Sequence, residues 1–177
     1  MAAGPTYEPI ATQTLGSAAA SISFTSIDQT YTDLVIVTSA RGVVSNHLYA
    51  RWGNGSYDSG TNYSNTGLFA RTTTNDSGSS RNTSFNFARL SPYTYAVPNA
   101  ASTFGTVITH LQNYSNTTTY KTALARTSGI DASDYAGTEV ASILWRSTSA
   151  INQIQFSLPS GNFETGTTIT LYGIKAA

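Results

Sequence analysis

The residues of this 177-residue chain that could do acid–base chemistry are few and far apart in the sequence. The chain has two histidines. His47 stands at a predicted loop-to-strand junction, and His110 alternates with Ile108 in a strand-like run. Histidine is the usual general base near neutral pH, but in a strand it more often serves as a hydrogen-bonded packing residue. We therefore expect neither histidine to be catalytic.

The carboxylates are also scattered, and most fall in predicted loops: Asp58, Asp76, Asp131, Asp134 and Glu164. A glycosidase needs two carboxylates at one cleft, which the linear spacing neither demonstrates nor excludes. Asp131 and Asp134 are spaced as in a calcium-binding loop, although the 12-residue EF-hand pattern is absent. Because the chain has no Cys, it has no thiolate metal site. We predict no enzyme activity, no metal site and no cofactor, and leave calcium binding by a loop open.

Aromatic and arginine side chains are the better candidates for contacts with a partner. The chain has 11 Tyr, and seven Arg against two Lys. Tyr in loops offers rigid amphipathic contact area to protein or sugar, and Arg is preferred at bidentate contacts. The alternatives are cross-strand packing for the tyrosines and simple solvation for the arginines. The predicted partner-contact residues are Tyr57, Tyr63, Tyr93, Tyr95, Tyr114, Tyr135, Arg51, Arg71 and Arg81.

The overall composition narrows the class of partner. Nine basic and nine acidic residues give a net charge of zero, only 10% of residues are charged, and Ser and Thr together number 51. Such a surface has no field to attract nucleic acid or an anionic membrane, and no apolar run is long enough to cross a bilayer. A net charge near zero favours self-association. We therefore expect a homo-oligomer or a subunit of a larger assembly.

Apolar and polar residues alternate with a period of two, which predicts half-buried strands in "SISFTSI", "HLYARW", "INQIQFSL" and "TTITLYGI". "DLVIVTSA" and "FGTVITHLQNY" are more continuously apolar and predict central strands covered on both faces. Turn-forming stretches between the strands, among them "TTNDSGSSRN", predict short loops.

These elements predict an all-β fold, a single antiparallel β-sandwich that is jelly-roll-like, in preference to a barrel. Residues 1–14 are expected to form a short N-terminal arm or an edge strand, and residues 15–177 the sandwich. The apolar run at 169–174 is expected to be a strand paired inside a sheet.

Three stretches carry a resemblance to a known family: "IATQTLGSAAASISFTSIDQTYTDLVIVTSAR", "NYSNTTTYKTALAR" and "WRSTSAINQIQFSLPSGNFETGTTITLYGIKAA". Together they resemble short virion proteins of tailed bacteriophages from marine and freshwater bacteria, over residues 7–177. The sequence departs from the pattern at Asp28, where Pro is expected, and in the loops between residues 41 and 89. The resemblance brings no catalytic motif.

The resemblance implies a non-enzymatic structural protein on the outer surface of the virion. The first hypothesis is a capsid decoration protein that binds the major capsid protein, with residues 1–14 as the anchor. The alternative is a tail or fibre component, for instance a trimer, whose loops bind a host surface receptor or polysaccharide. An enzyme such as a depolymerase is the least favoured of the three classes.

Overall fold

The computed structural model describes residues 6–72, 76–92, 95–130 and 136–175, which contain twelve β-strands and no helix. The strands are β1 (Tyr7–Thr14), β2 (Ser21–Phe24), β3 (Asp33–Ala40), β4 (Tyr49–Gly53), β5 (Tyr63–Arg71), β6 (Asp76–Phe85), β7 (Ala88–Arg89), β8 (Gly105–Gln112), β9 (Lys121–Ile130), β10 (Ala136–Trp145), β11 (Gln153–Ser157) and β12 (Thr168–Ile174). Of the predicted site residues, Tyr93, Asp131, Asp134 and Tyr135 lie outside the described residues.

The strands form two antiparallel sheets that pack face to face, which confirms the predicted β-sandwich. The larger sheet has eight strands in the order β1-β12-β3-β8-β9-β10-β5-β6, and the smaller has four in the order β2-β11-β4-β7. This eight-and-four division is less even than that of a jelly roll, which divides eight strands over two sheets. All pairings within both sheets are antiparallel.

The core lies between the two sheets, where the inward positions of alternating strands meet. Leu34 and Ile36 of β3 are buried from one side, and Ile154 and Phe156 of β11 from the other. Because side chains of a strand alternate between its faces, the period-two pattern that the sequence shows is the pattern that this burial requires. The large sheet thus keeps a second, outer face, which no other described strand covers.

Two details of the strand predictions are wrong. The central strands β3 and β8 are not covered on both faces along their length: their inner faces are buried, but of their outward residues only Val35 is buried, and Val37 and Ile108 are half-buried. The stretch "TTNDSGSSRN" was expected to be a loop, but its residues from Asp76 onward belong to β6. β6 is an edge strand that is exposed on much of both faces, so it needs no alternation of apolar residues. Its composition is therefore typical of a turn.

The two ends of the described chain pair with each other at one edge of the large sheet. β12 lies between β1 and β3, so the apolar run at 169–174 is an internal strand. β1 is the edge strand, and its register with β12 shifts between Pro9 and Ala11. Of the two alternatives for residues 1–14, the part from Tyr7 to Thr14 is an edge strand of the sandwich.

Candidate functional site: the outer face of the β5–β6 hairpin

The β5–β6 hairpin forms the edge of the large sheet opposite β1 and carries two of the three predicted partner-contact arginines. Arg71 and Asp76 face each other at its tip, with Arg71 Nη2 2.7 Å from Asp76 Oδ2. The Arg71 guanidinium also lies 4.8 Å from the centroid of the Phe69 ring. Arg71 is therefore engaged within its own hairpin, where it stabilises the tip.

A β-bulge interrupts the other end of the hairpin. Tyr63 lies opposite Phe85, but Asn65 lies opposite Asn82, so β6 has one more residue than β5 across this step. Ser84, which lies in this bulge, has a φ of 62°, a backbone conformation that non-glycine residues rarely adopt. Bulges redirect side chains and open the sheet locally.

A groove lies on the outer face beside this bulge. Its walls come from three adjacent strands, and they include Ser64, Thr66, Arg81, Thr83, Ser142 and Leu144. The register places Thr66 between Ser142 of β10 and Arg81 of β6, so these three side chains form one row across the sheet. The groove is consequently open to solvent, rich in hydroxyl groups and flanked by a cation.

The electrostatics of the groove differ from those of the chain as a whole. Arg81 is exposed and forms no hydrogen bond, ion pair or ring contact with any residue that the structure describes. A second guanidinium, that of Arg146, donates to Ser64 Oγ at 3.1 Å and to the Thr61 carbonyl at 2.8 Å. No acidic residue lines the groove. Neither guanidinium forms an ion pair with a described acidic residue, so together they make the groove positive in a protein of zero net charge.

The free edge of β6 adjoins the groove. β6 has ten residues, pairs regularly with β5 from Asp76 to Asn82, and contains no proline. The opposite edge strand, β1, contains Pro9, an irregular register and a Glu8–Lys175 ion pair of 2.8 Å. Proline, bulges and charges are the usual protection of an edge against pairing with another chain. Over those seven residues β6 is the less protected edge.

A second depression lies at the end of the sandwich where β4 and β10 end, and its wall includes Tyr57, Asp58, Ser147 and Ser149. Tyr57 is half-buried there. The turn before it requires glycine, because a Cβ on Gly53 would lie 1.8 Å from the Ser56 carbonyl oxygen. This tight turn brings Asp58 against β10.

The Asp58 carboxylate is occupied by its own loop and by β10. Its Oδ2 accepts hydrogen bonds from Trp145 Nε1 at 2.6 Å and Asn62 Nδ2 at 2.9 Å, and its Oδ1 accepts one from the Gly60 amide at 2.7 Å. Burial alone would raise the pKa of this carboxyl, but the three donors outweigh burial and lower the pKa below its usual range. Asp58 is thus an ionised anchor for the loop.

Two of the predicted contact tyrosines are core residues, so the expectation that they meet a partner is wrong for them. Tyr63 is fully buried, stacked 6.2 Å from Trp145, and its hydroxyl accepts a hydrogen bond from the Trp52 amide at 3.0 Å. Tyr114 is also fully buried and donates to the Asp28 carbonyl. Burial raises the pKa of Tyr114 to about 12. Tyr63 begins β5 and Tyr114 lies in the turn that follows β8, and the turn-forming residues around both concealed their burial.

The remaining predicted residues are accessible to different degrees. Tyr95 is 40% exposed and stacks on His47, with ring centroids 5.1 Å apart. Arg51 Nε donates to the Asn86 carbonyl at 3.0 Å. His110 lies in β8 with its Nε2 2.9 Å from Asp33 Oδ2, as expected of a hydrogen-bonded strand residue. Of the predicted contact residues that are accessible, Arg71 and Arg81 lie on the β5–β6 hairpin, whereas Tyr57, Tyr95 and Arg51 lie in other parts of the sandwich.

Sequence reasoning singled out Arg81 but missed its setting. Arg146, Ser142 and the bulge at Ser84 come together only because β10 and β6 flank β5. The turn-like composition of "DSGSSRN" concealed the strand that places Arg81. The available signal was the pair of arginines 10 residues apart around a turn, Arg71 and Arg81, which a hairpin brings onto neighbouring strands.

Among the described residues, no three His, Asp or Glu side chains converge as metal ligands would. The same residues include no helix that could span a membrane. Comparison with models of known protein families, with curated proteins and with solved structures gives no significant match.

Proposed function

We propose that this protein is a non-enzymatic structural subunit on the outer surface of a tailed phage particle, where it decorates the capsid. The observation that carries the proposal is the β6 edge, an exposed strand without proline that is open to pairing with another chain. Its backbone groups offer a row of hydrogen bonds to a neighbouring copy or to the major capsid protein.

The composition of the protein supports the same proposal. With few charged residues, its surface avoids the largest desolvation cost of a protein contact, that of burying unpaired charges, and its many hydroxyl groups can donate or accept hydrogen bonds across the contact. The outer face of the large sheet includes Leu68, Val140 and Leu124, which are 65%, 44% and 43% exposed. Leu68 and Val140 lie directly opposite each other on β5 and β10, so they form a small apolar patch suited to a subunit contact.

The test is the number of copies in purified particles of the phage that encodes the chain, measured by quantitative mass spectrometry against the major capsid protein. A decoration protein gives copies comparable in number to that protein, and they should stay with the heads when tails are removed. A handful of copies that travel with the tails would overturn the capsid proposal.

That second result would favour a tail or fibre component that binds a host surface receptor. The depression beside Tyr57 and Asp58 supports this alternative, since it combines a half-buried aromatic ring with serine hydroxyls at an open end of the sandwich. Aromatic rings and hydroxyl groups together are the chemistry that protein sites use for neutral sugars.

A further inference from the structure

We propose that the groove beside Arg81 binds carboxylate groups of an acidic polysaccharide, a polymer that contains uronic acids. This binding site goes beyond the structural role proposed above and would operate on a head or a tail alike. The residues that the argument uses are Arg81, Ser64, Thr66, Ser142 and Leu144, which are among those that line the groove.

The first argument is the unused guanidinium. Arg presents a planar fork of N–H donors that matches a carboxylate through two parallel hydrogen bonds. On the same hairpin, Arg71 already has Asp76 as its partner at 2.7 Å, whereas Arg81 has no partner among the residues described. Arg146 lies close by through its hydrogen bond to Ser64 and adds positive charge. An incoming carboxylate therefore meets two cations and no competing acid.

The second argument is the lining, which favours a sugar polymer as the bearer of the carboxylate. Ser64, Thr66 and Ser142 offer hydroxyl groups that both donate and accept, as the hydroxyl groups of a sugar ring require. Leu144 adds apolar surface for the C–H face of a ring. The groove lies on an exposed sheet face, so a long chain can cross it without threading. Nucleic acid fits less well, because its binding depends on many phosphate contacts.

The experiment measures binding of the full chain to alginate, a polymer of uronic acids, by isothermal titration calorimetry. Dextran serves as the neutral polysaccharide and polyglutamate as the acidic polypeptide. Arg81→Gln removes the cation and keeps a polar side chain of similar reach. Arg126→Gln is the matched control, because Arg126 is exposed on the same sheet face, opposite Ile108 and Val140, and outside the groove.

We expect alginate to bind and dextran not to bind. Arg81→Gln should weaken alginate binding about tenfold or more, the effect of losing a charged hydrogen bond, and Arg126→Gln should change it by less than about threefold, as expected for an exposed charge. Ser142→Phe, which fills the groove and leaves every charge in place, should weaken binding as strongly as Arg81→Gln.

Three results would overturn the proposal. They are the absence of alginate binding, equal losses in Arg81→Gln and Arg126→Gln, and binding of polyglutamate as tight as that of alginate. Equal losses would mean a diffuse charge effect, and polyglutamate binding would mean a site for acidic polypeptide. Circular dichroism and thermal unfolding of each variant confirm that a loss comes from the groove and not from unfolding.

Discussion

Trp145 donates its indole N–H to Asp58 Oδ2 at 2.6 Å, and this hydrogen bond joins the end of β10 to the loop between β4 and β5. Asn62 and the Gly60 amide complete the set of donors to the carboxylate. The loop is therefore held by an ionised group whose protonation would weaken all three hydrogen bonds. This arrangement makes the stability of one end of the sandwich dependent on pH.

We predict that Asp58→Asn reduces the acid sensitivity of the fold. The pKa of Asp58 is lower in the folded protein than in the unfolded chain, so its contribution is fully present above the unfolded value and is lost as the pH falls through the folded one. The window lies below about pH 4. Urea unfolding at neutral pH and at low pH should show a smaller difference for Asp58→Asn than for wild type. An identical pH profile would contradict the anchoring role.

Lys121 should also make stability rise with pH, but in the alkaline range and because burial disfavours its charged form. It is fully buried, and its Nζ donates to the carbonyls of Thr119 at 2.7 Å and Thr148 at 3.2 Å. Burial lowers the pKa of Lys121, so at alkaline pH the unfolded chain binds more protons than the folded one. Stability should therefore rise with pH in the range just below the usual lysine value of about 10.4.

Lys121→Met is the variant that tests this effect, because it keeps the volume of the side chain and removes the charge. The rise in unfolding free energy between pH 8 and 10 should be smaller in Lys121→Met than in wild type. Lys175→Met is the control, since Lys175 is exposed and the pKa of its side chain is raised by its hydrogen bond to Glu8. A rise of the same size in wild type and Lys121→Met would contradict the prediction.

The hydroxyl of Tyr63 should be worth about 1–3 kcal/mol of stability, the range for a buried hydrogen-bonding group that loses its partner. Tyr63→Phe leaves the ring between Trp52 and Trp145 but removes the acceptor of the Trp52 amide. Denaturant unfolding should show this loss. Tyr120→Phe, at a ring that is 55% exposed, should leave the unfolding free energy nearly unchanged. Equal effects of the two substitutions would mean that the Tyr63 hydroxyl does not stabilise the core.

The contrast between Tyr63 and Tyr120 also explains where prediction from sequence stops. Both tyrosines stand beside turn-forming residues, and only the face of the strand that follows decides which ring is buried. Period-two alternation correctly predicted β2, β4, β11 and β12, because a strand with one face on the core must alternate whether or not it lies at an edge. β6 has no fully buried residue on either face, so burial imposes no such pattern on it.

The site was harder to predict than the fold for the same physical reason. Arg81 was recognisable as an arginine suited to a bidentate contact, but its freedom from a partner depends on the register of β5 and β6. The groove needs the bulge at Ser84 and the adjacency of β10, both of which are long-range features. The residue types indicated which side chains could bind a ligand, but the order of the strands determines which of them lie together in one groove.

The free edge of β6 gives the last prediction, which concerns self-association. Because none of the described strands lies on the other side of β6, a second copy can pair with it in antiparallel fashion about a two-fold axis. Ser79→Lys places a charge in the middle of this edge, and like charges from the two copies would face each other across the axis. Sedimentation velocity over a range of concentrations should therefore show less association for Ser79→Lys than for wild type.

Thr12→Lys, on the exposed part of the β1 edge, is the matched control and should associate as the wild type does. If Thr12→Lys weakened association instead, the contact would lie at the β1 edge, where Pro9 and the shifted register leave fewer regular backbone groups for pairing. If the wild type remained a monomer at every concentration, the β6 edge would not serve a second copy. The remaining candidate to pair with it would be a different chain, such as the capsid subunit in the decoration role that we propose.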